Sequence, residues 1–170
     1  QHYPGIIIVG NKQTFGMIEG FYGVTGEQYL VKEGDFLALG HHKLRFYMTP
    51  MVHWPETMMT FDETDGVLFS GDGFGCFGTV DGGFLDTRIN VDKYWGEMVR
   101  YYSNIVGKYG SPVQKALQKL GGLPISAICS THGPVWTENI AKVIGIYDRL
   151  SRYDADEGVV IAYGSMYGNT

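Results

Sequence analysis

The 170-residue chain is long enough to enclose one real core. Its formal net charge of −5 argues against a nucleic-acid partner, which would want a basic face, and no apolar run approaches the roughly 18 residues of a membrane-spanning helix. Two cysteines, Cys76 and Cys129, make no disulfide framework; they read as small buried side chains and point to a reducing cytoplasm.

Residues 6–9 (Ile-Ile-Ile-Val) predict a short apolar strand. Lys12 to Phe21 predicts a helix, ended by Gly20 and Gly23. Tyr29 to Val31 is a strand, with a turn at Glu33-Gly34-Asp35. Phe36 to Gly40 and Lys43 to Met48 form a hairpin pattern around His41-His42, which read as ordinary polar turn residues. A loop carrying His53 leads to strands at Met58 to Phe61 and Val67 to Phe69. The first 70 residues are therefore expected to be short, mostly antiparallel strands.

The Gly-rich stretch 71–83 is a long loop, a length tied to function or mobility. Residues 90–107 predict an amphipathic helix with Asn90 or Asp92 at its N-cap and Tyr94, Tyr101 and Tyr102 in the core or an interface. Ser111-Pro112 opens a second helix that runs to Leu120 and ends at Gly121-Gly122. Ile125 to Cys129 is a strand. Residues 137–150 form a third helix, capped by Thr137. Tyr153 to Gly158 reads as a linker. Val159 to Tyr163 reads as a buried strand, running into the polar loop Ser165 to Thr170. A strand followed by such a loop begins a phosphate cradle, and the helix that would complete it is not in these residues. The expectation is a fragment of a larger, two-cofactor protein. Strands first and helices later predict an α/β (α+β) fold, a sheet packed against helices.

Three polar residues share one setting. His53, Asp72 and His132 each follow an apolar strand and precede a turn, where a strand fixes the base and a loop frees the side chain. Two imidazoles and a carboxylate suit zinc or iron. From spacing alone, metal ligands and hydrogen-bonded turn residues stay equally open. Gly71 and Gly73 flank Asp72 where slightly larger residues would be expected. Trp54 and Trp136 follow the two histidines and could wall the site or simply fill the core. Phe74, Phe77 and Phe84 could shape a channel or a dimer contact.

The stretches Met51 to Met58, Leu68 to Gly75 and Ser130 to Trp136, with Tyr163 to Thr170 at the end, resemble the flavodiiron proteins in order and spacing. The resemblance implies part of a metallo-β-lactamase-like αββα sandwich over 1–152, a linker over 153–158 and the start of a flavodoxin-like domain over 159–170. It implies that His53 binds one iron, His132 the other, and Asp72 bridges them. It places FMN on Ser165, Met166, Gly168, Asn169 and Thr170. The implied reaction reduces O2 to water, NO to N2O, or both. Electrons would come from rubredoxin or another carrier, through FMN, to the diiron site of a head-to-tail homodimer. The family's other ligands come from a His-x-Glu-x-Asp-His stretch, which these residues lack. The chain by itself is therefore expected to be inactive. A metallo-hydrolase of the same fold and a non-catalytic remnant are the alternatives.

Overall fold

A computed structural model describes residues 3, 5–80, 82–165, 167 and 168. The strands fall into two sheets. The smaller holds β1 (Ile7–Gly10) and β2 (Glu27–Leu30), joined through helix α1 (Lys12–Tyr22). Asn11 starts α1, its side chain accepting from the N–H groups of Gln13 and Thr14 at 2.9 and 3.0 Å. Gly23, at φ 62°, ends it by donating its N–H to Glu19 O. The two strands run parallel rather than antiparallel as expected. A helix laid between two strands carries the chain back to the starting edge, so the second strand re-enters in the same direction.

The larger sheet has six strands in the order β3 (Phe36–Leu39), β4 (His42–Met48), β5 (Met58–Asp62), β6 (Val67–Gly71), β7 (Ala127–Ser130), β8 (Val135–Trp136). Strands β3 to β6 are an antiparallel meander, β7 joins β6 in parallel, and β8 returns antiparallel. Between β6 and β7 the chain makes the long crossover that a parallel pair requires. It contains the Gly-rich loop and the helices α2 (Asp92–Tyr101) and α3 (Gly110–Leu120), and α4 (Ile140–Ser151) follows β8.

These helices and the sheet enclose one core. Met59, Phe61, Leu68 and Ile128 come from the strands; Met98, Tyr101, Val113, Val143 and Tyr147 come from the helices. Burying each such side chain is worth about 1.5–3 kcal/mol. Phe69 alternates to the other face of β6 and stays half exposed. The expected mixed α/β fold of sheet and helices is the one observed.

Several boundaries differ from the sequence reading. Helix α2 starts at Asp92 with Val91 in the cap position and no side-chain cap. Asp92 instead accepts from Trp95 Nε1 at 3.1 Å. The helix does not run evenly to residue 107. A π turn (Tyr102–Val106) and a 3-10 turn (Gly107–Tyr109) lead directly into α3, so Ser111 and Pro112 sit inside its first turn rather than opening it. The run 159–163 lies in no strand, and Val159, Val160, Ile161 and Tyr163 are exposed. An apolar strand of this type is stabilised by neighbours covering both faces, and none of the described strands lies beside it.

Thr137 does not cap α4: the helix starts at Ile140, with Asn139 in the cap position and no side-chain cap. The buried carboxylate of Asp86 accepts from the backbone N–H groups of Thr137, Glu138 and Asn139 at 3.0–3.1 Å and from the side chains of Thr137 and Asn139. Phe74 is buried in the core rather than lining a channel, Phe77 packs on Tyr101, and Phe84 is exposed.

Candidate metal centre

The site sits where β4, β6 and β7 end. After β4, Val52 is buried in the core and fixes the turn, with its N–H donating to Thr49 O at 3.2 Å. His53 follows and projects from this turn. After β6 the chain turns tightly: Gly73 N–H donates to Ser70 O at 3.0 Å, and Ser70 Oγ donates to Gly73 O at 2.7 Å. Gly71 sits at φ 58°, and a Cβ on Gly73 would lie 2.5 Å from Met59 Cε and 3.1 Å from Ser70 O. A larger residue at Gly71 would meet a left-handed backbone, and one at Gly73 would have to displace the flexible end of Met59. Because β7 runs parallel to β6, both strands end at the same edge and His132 arrives beside Asp72.

His53 Nε2 lies 3.1 Å from Asp72 Oδ2, and His132 Nε2 lies 3.5 Å from Asp72 Oδ1. Each carboxylate oxygen thus faces a different imidazole. Thr131 Oγ1 donates to Asp72 Oδ1 at 2.7 Å and holds the carboxylate in that orientation. The side chains of His53 and Asp72 are 21% and 26% exposed, and that of His132 is 55% exposed, so the group opens to solvent on the His132 side. The structure therefore brings together the three residues that the sequence singled out.

Tyr101 borders the group, its ring 5.6 Å from that of His132. Burial, with the Asp72 carboxylate adding to it, pushes the Tyr101 phenol well above its ordinary pKa. It therefore stays protonated at neutral pH. Sequence reading placed Tyr101 in the core or an interface; its position beside His132 depends on a crossover that helical periodicity does not reveal. Thr131 was missed as well, although it adjoins His132 in sequence. Trp136 is fully buried, whereas Trp54 is 52% exposed and does not seal the site. On its far side His53 opens on a cavity of about 360 Å3 lined also by Ser103, Asn104, Lys108 and Tyr109.

Residues 4–133 match the ODP family beta lactamase, a stretch that includes all three candidate ligands. The chain belongs to this family. The ODP-type chain is 34% identical over 144 residues to an anaerobic nitric oxide reductase flavorubredoxin from Shigella dysenteriae, covering 83% of this chain and 30% of that protein. Among solved structures, a flavo di-iron protein from Thermotoga maritima superposes with a TM-score of 0.81 at 30% identity, covering 90% of this chain and 38% of that one. The rubredoxin oxygen:oxidoreductase from Desulfovibrio gigas gives a TM-score of 0.80 at 28% identity, covering 86% and 37%. The ODP-type chain thus spans about a third of the length of the relatives it matches, and its fold is that of the flavodiiron metallo-β-lactamase-like domain.

The donor set fits a pair of first-row metal ions. Asp72 offers one oxygen toward each histidine, as a bridging carboxylate requires, and imidazole with carboxylate suits iron. Of the expected flavin positions, Ser165 and Gly168 are among the described residues. Met166, Asn169 and Thr170 lie outside the described residues, while Ser165, Tyr167 and Gly168 are exposed and lie in no strand or helix.

Proposed function

We propose that this chain is the iron-side part of a flavodiiron oxidoreductase that reduces O2 to water, NO to N2O, or both. The observation that carries this reading is the Asp72 carboxylate set between two imidazoles, one facing each oxygen. The names of the relatives support it: one is a nitric oxide reductase, another a rubredoxin oxygen:oxidoreductase.

In this reading His53 and His132 would each hold one iron, with the Asp72 carboxylate shared between them. Bound iron would supply electrons and Lewis acidity to a diatomic substrate. The chain's own residues do the positioning. Thr131 fixes the Asp72 rotamer through its hydroxyl, and Asp72 offsets the positive charge between the histidines. The protonated Tyr101 ring packs beside His132 and borders the site there, while His132 stays open to solvent. We further infer that rubredoxin or another carrier supplies the electrons, and that the working assembly is a homodimer using FMN. Tyr163, Gly164, Ser165, Tyr167 and Gly168 are exposed and give the flavin no enclosed place on the described residues.

One imidazole per iron with a shared carboxylate is a sparse ligand set. The 170 residues taken alone are accordingly proposed to hold iron weakly and to be inactive. Anaerobic loading with Fe2+, followed by desalting and iron analysis, tests both parts. The expected result is well under two irons per chain, falling further in Asp72→Ala. Equal iron in wild type and Asp72→Ala would remove Asp72 from the site. Two tightly held irons per chain would overturn the proposed inactivity while leaving the site assignment standing.

A further inference from the structure

A second group of metal-ligating side chains lies at the opposite end of the same strands. His42 begins β4, Asp62 ends β5, and Asp65 sits in the turn before β6. His53 and Asp72 follow the other ends of β4 and β6. The 7 residues of β4 separate the two groups by roughly 20 Å.

His42 Nδ1 lies 2.7 Å from Asp62 Oδ2 and 3.8 Å from Asp65 Oδ2. One donor atom from each of the three residues falls within 4.8 Å of the others. Donors around a four-coordinate zinc, at bond lengths near 2.1 Å, stand about 3.4 Å apart, a spacing these two distances bracket. Small side-chain rotations would therefore admit an ion. The Asp62 side chain is 8% exposed, while His42 and Asp65 remain accessible, so the group has a firm base and an open mouth.

Charge favours a cation there. Among the described residues, the basic side chains nearby are committed elsewhere: Lys43 Nζ lies 2.8 Å from Glu63 Oε2, and Arg45 is hydrogen-bonded to Glu63 Oε1. Two carboxylates are left facing one imidazole. The neighbouring His41 ring, 5.5 Å from that of His42, adds a further imidazole at the mouth. The turn is already held in shape, with Thr64 N–H donating to Asp62 Oδ1 at 2.9 Å and Thr64 Oγ1 donating to His41 O at 3.1 Å. Binding would require little reordering of the backbone.

We propose that His42, Asp62 and Asp65 form a binding site for a divalent first-row transition ion of the zinc type, separate from the centre at Asp72. An ion held there clamps the β3–β4 turn to the β5–β6 turn. The site does not depend on the redox reading of the other centre.

The test is a Zn2+ titration of the full chain, followed by amide resonances. The expected result is a saturable shift of residues 41–43 and 62–66 at one ion per site, with a midpoint in the micromolar range. Asp65→Asn, an exposed change, should raise that midpoint about tenfold or more, since one of three ligands is lost. His42→Gln should do the same. Asp72→Ala should leave these shifts in place. The proposal is overturned if these amides do not move at about millimolar Zn2+, a concentration well above the binding range of a built site. It is equally overturned if Asp65→Asn leaves the midpoint unchanged, or if Asp72→Ala abolishes the shifts.

Discussion

Trp136 Nε1 donates a hydrogen bond of 3.1 Å to the carbonyl of Phe74. This bond ties the strand just beyond His132 to the loop just beyond Asp72, and both residues are buried. Trp136→Phe keeps an aromatic ring but leaves the Phe74 carbonyl buried without its donor. Together with the lost volume, this is expected to cost about 2–4 kcal/mol. Urea unfolding of the variant measures it; a loss under about 0.5 kcal/mol, the size of an ordinary surface change, would show that the bond does not hold the two loops together.

Asp86 gives a pH dependence. Burial by itself would raise its carboxyl pKa, but the hydrogen bonds from Thr137 and Asn139 outweigh burial and hold it below the ordinary range. The folded-state value is thus below the unfolded one. Its stabilisation is present above the unfolded value, near pH 4, and is lost as pH falls through the folded value. Asp86→Asn is expected to flatten this part of the stability profile below about pH 4. Asp86→Ala should cost about 2–3 kcal/mol at neutral pH, through the orphaned N–H groups of Thr137, Glu138 and Asn139. Unfolding free energies of both variants across this pH range provide the check.

Gly133 and Gly122 both adopt φ 87°, but their surroundings differ. A Cβ at Gly133 would collide with Cys76 Sγ, whereas one at Gly122 meets nothing within 4 Å. Gly122→Ala should therefore show the backbone cost alone, about 1–2 kcal/mol. Gly133→Ala should add a further 1–3 kcal/mol or so of overpacking. Thermal unfolding of the pair separates the two contributions, and equal losses would refute the clash. Because Gly133 adjoins His132, its variant should also weaken iron binding, while the Gly122 variant should not.

Burial, with Glu97 adding to it, pushes the Cys76 thiol up to about 12. Cys129 is half-buried, and burial raises its thiol as well. Thiolate is the reactive form, so native protein at pH 8 should resist iodoacetamide at both positions, while denatured protein should react at both. Peptide mass spectrometry after a timed pulse reads this out. Rapid native labelling of Cys76 would contradict the packing around Gly133.

Much of the site was legible in sequence because strand ends have local signals. Apolar runs at 67–69 and 125–129 stop at polar or glycine residues, and His53, Asp72 and His132 each stand just past such a stop. The helix α1 was legible too: Gly23 ends it as read, although Gly20, also read as a terminator, lies inside it. The caps of the later helices were not. Asp86 holds the turn before α4 from 51 residues away, and Val91 and Tyr109 take cap positions because adjoining turns already supply the geometry. The strand expected at 159–163 failed for the converse reason: its apolar pattern is real, but burial needs neighbours that pattern alone does not supply.

The sequence by itself determined which residue types could bind metal and roughly where each strand ends, because hydrophobic periodicity and turn chemistry act over a few residues. The tertiary structure decided that these residues meet. Parallel pairing of β6 with β7 brings Asp72 and His132 to one edge across 59 intervening positions, and the crossover sets Tyr101 beside them. The same sheet places His42 against Asp62 at its other end, turning what reads locally as a polar hairpin turn into a second set of ligands. Cross-strand register is a long-range property of the folded sheet, and neither encounter has a local signature from which it could be read.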